Sequence, residues 1–140
     1  MGTSAPVNVL LKLIDCQSVP HLLYGVSATT LSSNDLKSFS YAYNSVFAKI
    51  FRSCDNSVIL NCQYYSGSLP FNYLYDYHRY NFLKKLFNTN SIKAKSEIDM
   101  FDMADFQALQ LKYQMRKDDS KDQVKDKIWR HFEIVFLQNV

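Results

Sequence analysis

The sequence predicts an all-α protein, a small bundle of about six or seven helices, and three features carry that expectation. Glycine and proline number only three each in 140 residues, too few for the turns that a sandwich or barrel needs every ten residues or so. Leu36, Phe39, Tyr43, Val46, Phe47, Ile50 and Phe51 recur at three- and four-residue steps, the spacing of one helical face. Hydroxyl and carboxylate residues stand just ahead of the apolar runs, where a helix start needs acceptors for its free amides.

Val7 to Asp15 is a short apolar run. Ser18 is expected to cap a second helix whose first turn holds Pro20, a position where a missing N–H costs nothing. Gly25 ends that helix or lets another backbone approach closely. Ser32-x-x-Asp35 reads as a capping-box-like start for the clearest amphipathic helix, which runs to Phe51. Asp55 or Ser57 caps the next, bearing Val58, Ile59, Cys62 and Tyr65, and Gly67-Ser-Leu-Pro70 breaks it. Another helix is expected from about Phe71 to Phe87, followed by a polar Asn88-Thr-Asn-Ser linker. Ser96-x-x-Asp99 opens a Met- and Phe-rich helix to about Arg116, and Ser120-x-x-Gln123 opens the last, ending near Leu137.

A chain that is 47% hydrophobic at this length can bury a core without staples. Cys16, Cys54 and Cys62 are odd in number and show no Cys-x-x-Cys spacing, and residues 1–15 lack a secretory signal pattern. The expected setting is therefore intracellular, nuclear or cytoplasmic, with reduced thiols. No apolar run approaches the roughly 18–20 residues needed to cross a bilayer, so no membrane span is expected. The net charge of +3 is uneven: residues 1–90 hold seven Lys/Arg against four Asp, and residues 91–140 hold nine of each sign. That excess is thin for a dedicated electrostatic binder, which shows a denser basic stripe.

Catalytic and cofactor patterns are missing from the sequence. His21, His78 and His131 are scattered outside zinc-ligand spacings, so no metal is expected. No glycine-rich loop exists to cradle a phosphate, and no cofactor is expected. Asp118-Asp119, between Arg116-Lys117 and Ser120, reads as a polar break with acids favoured at a helix start.

One cluster stands out. Tyr64, Tyr65, Phe71, Tyr73, Tyr75, Tyr77, Tyr80 and Phe82 place eight aromatics within nineteen residues, beside Arg79, Lys84 and Lys85. Such a mixture can stack bases while cations hold phosphates, or the rings can fill a small helical core. On a helix, Phe71, Leu74, Tyr75, His78, Phe82 and Leu86 share one mostly apolar face, which is expected to pack. Tyr73, Tyr77, Arg79 and Tyr80 point elsewhere and are the surface candidates.

Val19-Pro-His-Leu-Leu-Tyr-Gly25, then Leu31-Ser-Ser-Asn-Asp-Leu36, then Asn44-Ser-Val-Phe-Ala-Lys-Ile-Phe51, then Cys62-Gln63 and Leu69-Pro70, resemble the segment just after the palm in reverse transcriptases of non-long-terminal-repeat (LINE-type) retrotransposons. In that family a Pro-x-Leu-Leu-Tyr-Gly helix follows fingers and palm, and the region forms the helical thumb that contacts the template–primer duplex. The resemblance covers about residues 8–88 and is most specific at Pro20 to Gly25. Ser27 departs from the family, which often has Glu two residues after the glycine. The implied organisation is a thumb-like helical domain over 1–88 and a helical extension over 89–140. The aromatic-x-Asp-Asp hairpin and upstream Asp that hold two metal ions in the polymerase are missing; the nearest string, Met103-Ala-Asp-Phe106, has one acid on an expected helix. The chain is accordingly not expected to be an enzyme on its own.

The resemblance implies a module that grips RNA or an RNA–DNA duplex through Lys37, Lys49, Arg52, Arg79, Lys84 and Lys85, mostly at phosphates. The other reading is an element-derived structural or interaction domain, docking a polymerase palm or another protein through its Met-rich last helices.

Overall fold

The computed structural model describes residues 5–89 and 100–140, and every regular element among them is helical. In chain order these are α1 (Val7–Leu13), α2 (Val19–Leu23), α3 (Ser33–Phe51), α4 (Asn56–Ser66), α5 (Phe71–Asn88), α6 (Met100–Tyr113) and α7 (Lys121–Gln138). A π-helical turn, Ile14–Ser18, joins α1 to α2, and a 3-10 turn, Val26–Ala28, follows α2. The all-α expectation holds. The chain divides into two compact units, Met1–Phe71 and Asn72–Val140.

The caps show how local chemistry sets the boundaries. Ser32 Oγ accepts the Asp35 N–H at 3.2 Å and donates to the Asp35 carboxylate at 2.7 Å, opening α3. Asp55 caps α4 by accepting both the N–H and the hydroxyl of Ser57, at 2.9 and 2.8 Å. Ser120 and Gln123 form a reciprocal capping box on α7. Gly67 closes α4 at φ +75°, a conformation that a Cβ would strain. The Ser96-x-x-Asp99 start lies outside the described residues.

Ser18 departs from expectation. Its backbone is right-handed helical and its side chain makes no capping bond, because the chain passes through it without a break. Pro20 has no N–H to give the carbonyl four residues back and would crowd it in a regular α-helix. The chain widens instead into the π turn, where the Val19 N–H reaches the Ile14 carbonyl five residues back. His21 Nδ1 lies 2.7 Å from the Gln17 carbonyl, a partner that the ring supplies when Nδ1 is protonated. The helix ends where Gly25 turns left-handed at φ +75°.

In the first unit, Ile14, Val19, Leu23, Tyr43, Phe47, Ile59, Leu69 and Phe71 are buried. Phe47 sits edge-on to Tyr43 with centroids 5.1 Å apart, and Phe39 stacks on Phe71 at 5.6 Å. Between α3 and α4 the buried Gln63 donates to Asn44 Oδ1 at 2.9 Å. Asn44 and Gln63 stand 19 residues apart, and their bond satisfies an amide that would otherwise be costly to bury.

In the second unit, α7 contributes Val124, Ile128, Phe132 and Phe136, every fourth residue, as its buried stripe. Phe106 of α6 stacks on Tyr80 of α5 at 5.1 Å and 9°, and Tyr73 meets Phe132 at 5.3 Å. The face of α5 carrying Tyr73, Tyr80 and Leu83 is thus covered by α6 and α7. This corrects the surface expectation for Tyr73, Arg79 and Tyr80, which are buried. Of the stripe expected to pack, Phe71 and Tyr75 are buried, while Leu74, His78, Phe82 and Leu86 are only half-buried.

Phe47 is fully buried, so Phe47→Ala is expected to cost about 3–5 kcal/mol in urea unfolding. Tyr43→Phe is expected to be neutral or to stabilise by about 1 kcal/mol, because the hydroxyl it removes is buried with no partner among the described residues. A Tyr43→Phe destabilisation as large as that of Phe47→Ala would refute the packing described for α3.

Candidate nucleic-acid interface

The expected cations fall in both units. Lys37 and Lys49 are exposed on α3, and Arg52 is exposed at its C-cap with φ 53°. On an ideal helix Lys49 lies about 120° round from Lys37 and about 18 Å along the axis. These three belong to the first unit, while Arg79, Lys84 and Lys85 lie on α5 in the second.

Arg79 is the exception among the six. It is 1% exposed, and its Nη2 donates to Asp102 at 2.7 Å and Asp105 at 3.2 Å, tying α5 to α6. A guanidinium buried against two carboxylates is committed to the interior and has no surface to offer a phosphate. Arg79 is therefore corrected from a binding residue to a packing one.

Lys84 and Lys85 behave differently from Arg79. Lys85 is exposed, and the half-buried Lys84 donates to the Asp119 carbonyl. A carbonyl orients an ammonium without cancelling its charge, and two of the three N–H donors stay available. Both lysines line a groove of about 490 Å³ with Lys121, Asn81 and Asn88. Lys121 is the first residue of α7, next to the Ser120 cap. Three cations and two amides thus surround a space whose one acidic lining residue, among the described residues, is Asp119.

The turn between α6 and α7 builds this wall. Gln114 leaves α6 at φ 53°, and Met115 is buried behind it. Four side chains pin the turn: Tyr80 donates to the Arg116 carbonyl at 3.1 Å, Lys84 to the Asp119 carbonyl, and Lys127 to the Gln114 carbonyl at 3.1 Å, while the Asp119 carboxylate accepts the Arg116 N–H at 2.8 Å. The Lys127 ammonium also bonds the Asp119 carboxylate. The Arg116 N–H first, then Lys127, hold the Asp119 carboxyl below the usual range.

A second charged cluster sits further along the unit. The Asp76 carboxylate receives Lys112 at 2.8 Å and the Tyr113 hydroxyl. Burial, then the Asp76 charge, push the Tyr113 phenol well above its ordinary value. The Lys112 ammonium lies 4.9 Å from the Tyr113 ring centre. This cluster is locked by its own partners and does not form a reactive set.

Among the described residues no group of three His, Cys, Asp or Glu gathers to hold a metal ion. No described helix is long and apolar enough to cross a membrane. Lys121 was missed by sequence reasoning, although a lysine just after the Ser120 cap is a legible sign of a cation beside free amides. No family model, curated protein or solved structure matches the chain.

Arg79→Ala is expected to destabilise by about 1.5–3 kcal/mol, since it removes a buried guanidinium and its charged hydrogen bonds to two partly exposed carboxylates, as read by denaturant unfolding. Asp119, whose folded pKa is depressed, stabilises fully above the ordinary carboxylate value near 4 and loses that contribution as pH falls through its lower folded value. Asp119→Asn is expected to flatten the fall in stability of the wild type below pH 4; an unchanged acid profile would contradict the anchoring of the turn.

Proposed function

We propose that the chain is a non-catalytic helical module that holds the phosphate backbone of RNA or an RNA–DNA duplex. The observation that carries this reading is the groove in which Lys84, Lys85 and Lys121 converge with the amides of Asn81 and Asn88. Ammonium groups supply the sequence-independent attraction to phosphate, and neutral amides add hydrogen bonds without opposing it. Lys37, Lys49 and Arg52 provide a further set of exposed cations on α3. The resemblance of Val19 to Gly25 and the strings after it to the post-palm thumb of LINE-type reverse transcriptases supports the same reading, as does the all-helical architecture that such a thumb requires. With no polymerase motif in its sequence, the module would act beside a catalytic partner inside the cell.

One observation favours a second reading, docking of a protein partner. α6 presents Phe101 at 74%, Met103 at 49% and Leu111 at 82% exposure, and exposed apolar residues of this kind are common at adaptable protein interfaces. The two readings differ in salt dependence, because binding at phosphates releases counterions and apolar docking does not.

Duplex affinity, measured by fluorescence anisotropy from low to moderate salt, is expected to fall steeply. Lys85→Ala/Lys121→Ala is expected to reduce the log–log salt slope by about 1–2, near 0.9 for each phosphate that the variant no longer neutralises. Binding that is undetectable at low salt, or whose slope is the same in the double variant, would sink the nucleic-acid reading.

A further inference from the structure

We infer that a second groove in the Asn72–Val140 unit is a phosphate-binding site, with the Arg116 and Arg130 guanidinium groups as its principal anion ligands. The groove has a volume of about 790 Å³ and shares Asp119 with the lysine groove. Its lining includes Lys112, Arg116, Lys127, Arg130, His131 and Gln123.

Charge accounting singles out the two arginines. Lys112 is balanced by Asp76 at 2.8 Å, and Lys127 by Asp119. Asp119 is the one acid lining the groove among the described residues, and its carboxylate is already engaged by Lys127 and the Arg116 N–H. Arg116 and Arg130 are exposed, and neither makes an ion pair among the described residues. Arg116 shares the Asp119 charge with Lys127, and Arg130 has no counter-charge of its own among the described residues, so the two guanidinium groups line a space with an excess of positive charge. The planar donor fork of each matches two oxygens of a phosphate.

Two further features fit a ligand. His131 Nδ1 is buried without a hydrogen-bond partner among the described residues, and His131 belongs to the same lining. The ring is packed edge-on to Tyr113 with centroids 5.1 Å apart, so it forms part of the groove wall and can report what binds there. The Arg116 backbone is also fixed before any ligand arrives, through its carbonyl to Tyr80 and its N–H to Asp119. Binding would then order a side chain and leave the turn as it is. The volume lies within the range of small-ligand clefts, about 300–1,000 Å³.

The shared chemistry is the phosphoryl anion, which either a nucleic-acid strand or a small phosphate ester can supply. The inference does not depend on the nucleic-acid reading, since inorganic pyrophosphate carries the same groups. The test titrates the full chain, wild type and Arg116→Ala/Arg130→Ala, with inorganic pyrophosphate and separately with an RNA duplex. Affinity is read by calorimetry and the His131 ring by NMR. Expected are saturable pyrophosphate binding to the wild type with a shift of the His131 ring signals, and a loss of about tenfold or more in the double variant at unchanged helical circular dichroism. The more conservative Arg116→Gln/Arg130→Gln serves if the alanine variant folds poorly. Pyrophosphate bound without duplex binding supports the site and assigns it to small phosphate esters, while the nucleic-acid reading fails. Both ligands bound, each weakened in the double variant, supports the site as part of the strand path. No pyrophosphate binding by the wild type, or equal binding by the double variant, overturns the inference whatever the duplex does.

Discussion

The turn from Gln114 to Ser120 is the constraint on which the surface chemistry of the second unit depends. It must leave α6, bury Met115 and start α7 within a few residues, and its carbonyls, which lack helical partners, need donors. Those donors come from side chains of α5, which is distant in sequence, and of the following helix: Tyr80 and Lys84 from α5, and Lys127 from α7. Asp119 completes the set by taking the Arg116 N–H and the Lys127 ammonium. The same bonds that satisfy the turn set the walls of two basic grooves, so packing and surface charge share a cause here.

Arg79 shows the opposite use of a cation. Its pairing with Asp102 and Asp105 removes it from the surface and joins α5 to α6 across 23 and 26 residues of sequence. Burying a charge is worthwhile only when its partners are fixed, and the stacked Tyr80 and Phe106 beside it hold the two helices in register. Lys84, five residues on, meets a neutral carbonyl instead and keeps its charge. Identical formal charges on one helix thus have different roles because their partners differ.

Much of this was legible in the sequence where the controlling interaction is local. Ser32, Asp55 and Ser120 cap helices through bonds spanning two or three residues, and the α3 stripe that buries Tyr43 and Phe47 repeats at helical spacing. Ser18 misled because its role depends on the helix continuing through a π turn ahead of Pro20, a choice that a capping pattern does not encode. The buried face of α5 was misassigned because aromatics surround that helix on nearly every side, so its periodicity points nowhere in particular. Only the positions of α6 and α7 decide that Tyr73 and Tyr80 go inside. The Arg116–Arg130 groove was likewise hidden, since its charge excess emerges only after Lys112 and Lys127 are matched with Asp76 and Asp119.

The most direct measurement is amide hydrogen exchange across residues 114–120 of the free protein. Protection of the Arg116 N–H comparable to that of the α7 core amides, abolished selectively in Asp119→Ala while α7 remains protected, is the expected result. Exchange of the Arg116 amide at the rate of an unstructured chain in the wild type would contradict a pre-set turn and remove the physical basis of both grooves.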